Sequence, residues 1–185
     1  MSLVSDSVLA ARDRAEELVD ARNVQFAIDQ TALRIAVELR DENPIVMCVM
    51  KGGLPYTAEL IQRFHFPLEL SYVHVGRYDD TTEGVTLNWY ARPIVDIAKR
   101  NVLIVDDVFD KGETLGALVA WATDEGANRV LTTVLVSKEV AEVARIEVDY
   151  VALSVPDRYL FGCGMDYRGY WRNLTSIYAL HEDME

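Results

Sequence analysis

Short apolar runs alternate with amphipathic stretches along most of this 185-residue chain. From about residue 5 to residue 39, apolar side chains recur at helical spacing, which predicts two helices with a break near Asn23. The continuous apolar run at residues 45–50 predicts a buried strand. A turn at residues 51–53 then leads directly into a helix predicted over residues 55–64, with proline early in the helix.

The second half of the chain repeats this alternation of strand and helix patterns. Strands are predicted at residues 68–75, 85–90, 102–105, 130–136 and 150–154, and a helix at 114–125. Strands that alternate with helices favour an α/β fold with a mostly parallel central sheet flanked by helices, and the length favours a single domain. Ligands of such sheets bind at the carboxyl ends of the strands, where the main polar motifs of this chain also fall.

The composition limits the partners that the protein can have. The chain carries 18 Lys and Arg residues against 30 Asp and Glu residues, a formal net charge of −12. No nucleic-acid partner is expected, because nonspecific affinity for DNA or RNA comes from a basic surface. A polyanionic ligand must therefore be bound locally, through backbone amides, a few placed cations and a divalent metal ion.

Cysteine usage and the N-terminal residues bear on location. The chain has two cysteines, and Cys48 lies in an apolar strand pattern, which is typical of a small buried side chain rather than a redox site. Residues 1–10 lack the basic and apolar segments of a secretory signal, and no apolar run approaches the ~18 residues of a membrane span. We therefore expect a cytoplasmic protein with no membrane partner.

Residues 102–114, Val-Leu-Ile-Val-Asp-Asp-Val-Phe-Asp-Lys-Gly-Glu-Thr, form the most informative stretch of the chain. A buried strand is predicted to end at Asp106 and Asp107, and Asp110 and Gly112 precede the next helix. An Asp-Asp pair alone also fits a solvated acidic turn or a helix cap. Together with the following Asp-x-Gly-x-Thr, it favours carboxylates that hold hydroxyls beside the amides of a helix N-terminus, as a sugar phosphate requires. Asp110 either accepts a proton from a heterocyclic nitrogen or caps the helix.

The stretch from Val105 to Thr114 resembles the phosphoribosyl-diphosphate-binding motif of type I phosphoribosyltransferases. Further motifs between about Met47 and Leu180 make the resemblance narrower, to hypoxanthine-guanine phosphoribosyltransferases. They are Met-Lys-Gly-Gly at 50–53, Val-Ser-Lys at 136–138, Val-Pro-Asp-Arg-Tyr at 155–159, Gly-Met-Asp-Tyr at 164–167 and Tyr-Trp-Arg-Asn-Leu at 170–174. The resemblance implies one type I phosphoribosyltransferase domain over residues 1–185. It consists of N-terminal helices (about 5–42), a core (about 45–155) and a small hood contributed by the C-terminal segment (about 156–185).

The resemblance also implies an activity. The 5-phosphoribosyl group of phosphoribosyl diphosphate is transferred to hypoxanthine or guanine, giving IMP or GMP and pyrophosphate, with Mg²⁺ as cofactor. A homo-oligomer, either a dimer or a tetramer, is expected by the same resemblance. Two alternatives stay open: a phosphoribosyltransferase that prefers xanthine, and a non-catalytic regulator that senses phosphoribosyl diphosphate or a nucleotide.

The roles that the resemblance implies for single residues fall into two groups. On the phosphoribosyl side, Asp106 and Asp107 hold the ribose hydroxyls, the loop Lys111, Gly112, Glu113 and Thr114 holds the 5′-phosphate, and Lys51, Gly52 and Arg172 hold pyrophosphate. Lys51 and Gly52 form a turn that in the family often contains a cis peptide. On the base side, Lys138 donates to the 6-oxo group, Tyr159 stacks on the purine, the backbone of Leu160 meets its edge and the catalytic Asp110 approaches N7. Asp166, with Asp106 and Asp107, contacts Mg²⁺.

A polar segment, Arg77 to Gly84, matches the mobile loop that closes over the site in this family, and Tyr78 matches its tyrosine. Three residues depart from the family pattern or from the charge expected beside a phosphate. Arg77 stands where serine is usual, and Lys111 where threonine or serine is usual. Glu113 is acidic beside the expected phosphate, and we expect its side chain to point outward, where a carboxylate in the first helical turn is favourable to the dipole.

Overall fold

The computed structural model describes residues 4–77, 87–139 and 146–181. In chain order its elements are α1 (Asp6–Arg14), β1 (Glu16–Val19), α2 (Ala21–Leu39), β2 (Ile45–Met50), α3 (Gly53–Arg63), β3 (Glu69–Arg77), β4 (Leu87–Ala91), β5 (Asn101–Phe109), α4 (Glu113–Asp124), β6 (Arg129–Glu139), β7 (Tyr150–Pro156), β8 (Leu160–Phe161) and β9 (Ile177–Ala179). Within the described ranges, no helix is long and apolar enough to cross a bilayer.

Six strands form the central sheet, in the order β4-β3-β2-β5-β6-β7. All neighbouring pairs are parallel except β3 and β4, which are antiparallel. The carboxyl ends of β2, β5 and β6 therefore meet at one edge of the sheet. The predicted class, a mostly parallel α/β sheet flanked by helices, is confirmed.

Helices cover both faces of this sheet. Val46 of β2 packs with α2 and α3, whereas Ile45 and Met47 pack with α4 on the opposite face. Because both faces are buried, the central strands need apolar side chains at successive positions rather than at alternate ones. This packing explains the unbroken apolar run of β2, whose first five residues are all buried.

Three short strands form a second, antiparallel sheet, in the order β1-β9-β8. β1 comes from the region that we predicted to be two helices with a break near Asn23. The two helices, α1 and α2, are confirmed, but the predicted position of the break was wrong. The break lies earlier, because α2 begins after Asp20, whose side chain accepts a hydrogen bond of 2.8 Å from the backbone of Asn23. Residues 16–19 are extended because β9, more than 150 positions later, pairs with them.

Two strands extend beyond the apolar runs that predicted them. Asp106 and Asp107 belong to β5 and do not follow it, because the strand pairs with β6 as far as Phe109. β6 in turn keeps pairing with β7, which places Lys138 opposite Val155 and inside the strand. The polar side chains at this edge are therefore held by strand pairing rather than by turns.

Candidate active site

The turn after β2 lies directly against the end of β5. The peptide bond between Met50 and Lys51 is cis. Gly52 follows in a helical backbone conformation (φ −64°, ψ −44°), so its torsion angles suit any residue. A Cβ atom there would nevertheless overlap the Asp107 carboxyl group, so any other residue would displace that side chain. The turn at residues 51–53 and the β5 carboxylates are thus in contact.

The two adjacent carboxylates of β5 bind backbone amides at the end of the strand. Asp106 Oδ1 accepts a hydrogen bond of 2.9 Å from the Asp107 amide, and Asp107 Oδ1 accepts one of 3.0 Å from Val108. Burial raises the pKa of the Asp107 carboxyl, and its hydrogen bond with Asp106 and the charge of Arg172 offset that effect only in part. Both groups retain oxygen lone pairs that can accept hydrogen bonds or ligate a cation.

The N-terminus of α4 completes this side of the edge. Gly112 caps the helix with φ +75°, a left-handed conformation that favours glycine, and a Cβ there would lie 2.7 Å from the Phe109 ring. The positive end of the helix dipole and its first amides consequently face the same cleft as the β5 carboxylates. Glu113, the first residue of α4, was expected to point outward but is among the residues that line this cleft.

The opposite wall comes from β8 and the loop that follows it. The Tyr159 hydroxyl, whose pKa is raised by burial, donates a hydrogen bond of 3.2 Å to the Asp166 carbonyl oxygen. Arg172 donates through Nη1 to the Gly164 carbonyl oxygen at 2.6 Å and forms an ion pair with Asp166 through Nη2. Gly164 approaches the Gly52 carbonyl so closely that a side chain at position 164 would overlap it. This loop therefore holds Arg172 and Asp166 next to the turn at residues 51–53.

These elements enclose two adjoining clefts of about 220 Å³ each. The aromatic cleft is lined by Asp107, Val108, Asp110, Lys138, Tyr159, Leu160, Met165 and Asp166. The glycine cleft is lined by Val49, Met50, Lys51, Gly52, Val75, Asp106, Asp107, Val108, Phe109, Asp110, Gly112, Glu113, Thr114, Leu115 and Arg172. Asp107, Val108 and Asp110 belong to both clefts, so a ligand can extend from one into the other past these residues.

Most of the residues singled out from the sequence line one of the two clefts, and three need separate mention. Lys111 is exposed and lies outside the described lining of either cleft. Arg77 is the last residue of β3, and only its backbone is described. Tyr78 and the rest of the predicted mobile loop, through Gly84, lie outside the described residues.

Two residues that shape the aromatic cleft were missed. Met165, buried at 4% exposure, lines the cleft. Asp157 accepts a hydrogen bond of 3.1 Å from the ammonium group of Lys138. Both lie inside the motifs quoted above, but only the register of β6 against β7 reveals that Asp157 reaches Lys138.

The acidic residues at this edge suit Mg²⁺ only in combination with a ligand. Among the described residues, no three His, Cys, Asp or Glu side chains are grouped so that they could hold a metal ion by themselves. Mg²⁺ in phosphoryl-ligand sites usually binds to one or two carboxylates, to substrate oxygens and to water. The carboxylate oxygens of Asp106, Asp107 and Asp166 at the two clefts fit that donor set.

A sheet edge that combines adjacent carboxylates, a left-handed glycine and a helix N-terminus defines an α/β enzyme for a phosphorylated ligand. The sequence model of the phosphoribosyl transferase domain matches residues 14–168, most of the chain. The protein therefore belongs to the phosphoribosyltransferase family.

Individual relatives are similar over nearly their whole length. The hypoxanthine-guanine phosphoribosyltransferase of Streptococcus pneumoniae strain R6 is 29% identical over 93% of this chain and 96% of its own. Its namesake from Bacillus subtilis strain 168 is 28% identical over 91% and 94%. A solved hypoxanthine-guanine-xanthine phosphoribosyltransferase is 26% identical, with a TM-score of 0.84 over 92% of this chain and 99% of its own. The resemblance predicted from the motifs is confirmed.

Proposed function

We propose that this phosphoribosyltransferase acts in purine salvage. It transfers the 5-phosphoribosyl group of phosphoribosyl diphosphate to hypoxanthine or guanine, and IMP or GMP and pyrophosphate are the products. The observation that carries the proposal is the pair of adjoining clefts that share Asp107, Val108 and Asp110. One cleft suits a planar base and the other suits a sugar with a 5′-phosphate and a diphosphate, and the reacting atoms meet at the shared residues.

The glycine cleft supports binding of the donor. Asp106 and Asp107 accept hydrogen bonds from the two ribose hydroxyls, and the loop of residues 111–114 with the α4 N-terminus receives the 5′-phosphate. The pyrophosphate lies against Lys51, Gly52 and Arg172, where the guanidinium can bind two oxygens at once. The protein contributes backbone amides and at most three cationic side chains, those of Lys51, Lys111 and Arg172. An acidic protein can therefore bind a polyanionic ligand.

The aromatic cleft supports binding of the base. The purine stacks on Tyr159, and the backbone of Leu160 meets its edge. The ammonium of Lys138 has donors only, so it favours the 6-oxo acceptor of hypoxanthine or guanine over the 6-amino donor of adenine. Asp110 lies where the two clefts meet and is the residue proposed to contact N7.

The chemistry replaces one bond at C1′ of the ribose by another. A ring nitrogen of the base bonds to C1′ while the bond from C1′ to the pyrophosphate oxygen breaks, and the base loses a proton. Asp110 accepts a hydrogen bond or that proton, and the rest of the site orients the two reactants and stabilises the departing charge. Asp106, Asp107 and Asp166, together with ligand oxygens, would hold Mg²⁺, which when bound would neutralise part of the diphosphate charge.

A preference for xanthine is the second candidate. The neighbour named hypoxanthine-guanine-xanthine phosphoribosyltransferase favours testing it, and Lys138 contacts only the 6-oxo group that all three bases share. A non-catalytic regulator is not favoured, because Asp110 and Lys138 line one cleft together with the aromatic ring of Tyr159.

An assay with purified protein tests the proposal. Phosphoribosyl diphosphate and Mg²⁺ are incubated with hypoxanthine, guanine, xanthine or adenine in turn, and released pyrophosphate is measured. We expect release with hypoxanthine and guanine and little with adenine. The variant Asp110→Ala should lower kcat by about 100-fold or more while donor binding changes little. Absence of pyrophosphate release with every 6-oxopurine would refute the enzymatic function, and unchanged turnover of Asp110→Ala would remove that residue from the chemistry.

The protein is further proposed to form a cytoplasmic homo-oligomer, a dimer or a tetramer. Leu54, Leu70 and Tyr72 are each at least 50% exposed and line one apolar cleft between α3 and β3. None of the described lining residues is acidic or basic, so contact between two copies at this cleft would bury no charged lining residue. Sedimentation velocity measures the assembly, and Leu70→Glu should shift it toward monomer. The free cysteines Cys48 and Cys163 agree with a reducing compartment.

A further inference from the structure

Lys138 is a long, flexible side chain that must present its ammonium group to a small cleft. Its side chain is only 16% exposed. A lysine loses considerable conformational freedom when it is held in one orientation, because four torsion angles must be fixed. The ammonium also needs hydrogen-bond partners in place of any water that it loses. Something in the protein must therefore hold the group in position before a base arrives.

The partner that the structure provides is Asp157. Its Oδ1 accepts a hydrogen bond of 3.1 Å from Lys138 Nζ. The Asp157 side chain is 54% exposed and lies outside the described lining of the aromatic cleft. It therefore contacts Lys138 without itself belonging to the lining of the cleft. One of the three ammonium donors is used in this way, and two stay available to a ligand.

The position of Asp157 is itself fixed by its neighbours. Strand pairing of β6 with β7 places Lys138 opposite Val155, two residues before Asp157. Arg158, the next residue, donates to Glu16 of β1 at 2.5 Å and to the Leu180 carbonyl oxygen at 2.8 Å. The β7–β8 turn is thus anchored to the main sheet on one side and to the small sheet on the other.

We propose that Asp157 is a positioning residue that sets the base specificity of the reaction through Lys138. This proposal rests on the function proposed above and adds a residue that determines how the aromatic cleft selects its base. Asp107, Asp110 and Asp166 line the same cleft and are competing acceptors for the ammonium. Asp157 holds the ammonium away from them and keeps its remaining donors directed at the 6-oxo group. Without this carboxylate, Lys138 pairs with another acid in the cleft, and a 6-oxopurine loses its most selective contact.

The first test is the variant Asp157→Asn, which keeps the shape of the side chain and removes its charge. We expect the KM for hypoxanthine to rise about tenfold, the scale of one weakened hydrogen bond to a charged group, while the KM for phosphoribosyl diphosphate stays within about twofold. The ratio of the turnover with hypoxanthine to the turnover with adenine should be lower in this variant than in the wild type. Asp157→Glu, which restores the carboxylate, should recover part of the loss. Because an exposed ion pair contributes little to folding, the thermal unfolding temperature should hardly change.

A matched control is available at Asp29. Its side chain is 55% exposed and is ion-paired to the partly buried Arg63, much as Asp157 is paired to Lys138, but it lines neither cleft among the described residues. Asp29→Asn should leave both KM values at their wild-type level. A change in the hypoxanthine KM of this control would show that loss of a surface carboxylate acts nonspecifically.

A double-mutant cycle decides whether Asp157 acts through Lys138. If it does, Asp157→Asn added to Lys138→Gln causes no further loss of hypoxanthine binding. Additive losses, or an unchanged hypoxanthine KM in Asp157→Asn when Lys138→Gln raises it, would overturn the proposal. Either result leaves the proposed function standing, which fails only if the wild-type protein transfers the phosphoribosyl group to no 6-oxopurine.

Discussion

The close approach of α3 to β5 at Gly53 makes the variant Gly53→Ala the most informative test of the site's construction. A Cβ atom at this position would lie 2.6 Å from the Val105 carbonyl oxygen and 3.2 Å from the Cα atom of Asp106. The shorter distance is roughly 0.8 Å below the 3.4 Å at which ordinary contact begins. Both neighbours are backbone atoms of β5, so no side-chain rotation can relieve the overlap. The start of α3 must move away from the strand that carries Asp106 and Asp107.

Opposing effects determine the size of the change. Alanine is better than glycine in a helix by at most about 1 kcal/mol, and Gly53 is the first residue of α3, where less of that gain applies. Overpacking typically costs about 1–3 kcal/mol, so the free energy of unfolding should decrease by up to about 3 kcal/mol. The effect on activity should be larger, because a displacement near 1 Å of reacting groups can reduce the rate about 100-fold. Such a loss corresponds to about 2.7 kcal/mol of transition-state stabilisation.

The assay measures kcat/KM by pyrophosphate release and stability by urea unfolding. Gly116→Ala is the matched control, since Gly116 also lies in a helix but, among the described residues outside that helix, its Cβ would meet only a methyl group of Ile146, at 3.3 Å. We expect that control to keep wild-type activity and to gain about 0.5–1 kcal/mol of stability. If Gly53→Ala retained kcat/KM within about threefold of wild type, the claim that this backbone contact sets the site geometry would be wrong.

Two further predictions concern titratable groups away from the clefts. The hydrogen bond from the Tyr150 hydroxyl, followed by that from Arg129, lowers the pKa of Glu38 below its ordinary value of 4.5. The contribution of Glu38 to stability is therefore present above pH 4.5 and is lost as the pH falls through the lowered value. Glu38→Gln should make the urea midpoint depend less on pH between pH 7 and pH 3. An unchanged pH profile would contradict this. Burial raises the pKa of the Cys163 thiol to about 12, so it should react with Ellman's reagent at pH 8 only after denaturation, and rapid native labelling at this position, located by peptide mapping, would contradict it.

Much of the main sheet could be predicted because its causes are local. The apolar run of β2 and the strand-to-helix pattern around Gly112 follow from side-chain type and spacing over short segments. The left-handed glycine and the following helix likewise depend on neighbouring residues, so the position of the glycine cleft follows from sequence order and the parallel-sheet rule. The order of motifs then sufficed to predict that Lys51 and Asp107 lie in one site.

Other features could not be predicted from neighbouring residues, because they depend on partners distant in the chain. β1 is extended only because β9 pairs with it, and its residues otherwise fit a helical pattern. The length of β5 depends on continued hydrogen bonding with β6, which is why the strand was predicted to end before Asp106. Local propensity is weak at both places, so tertiary pairing decides the conformation.

The sequence by itself determined the family, the class of fold and the types of side chain that the reaction requires, because these depend on composition, spacing and motif order. Only the tertiary structure decided how those side chains are held. It placed the Asp107 carboxyl group against Gly52. Through the register of β6 and β7 it also brought the Asp157 carboxylate within hydrogen-bonding distance of Lys138. Contacts of this kind depend on distances of a few tenths of an ångström between segments far apart in the chain, and the residue types alone do not specify them.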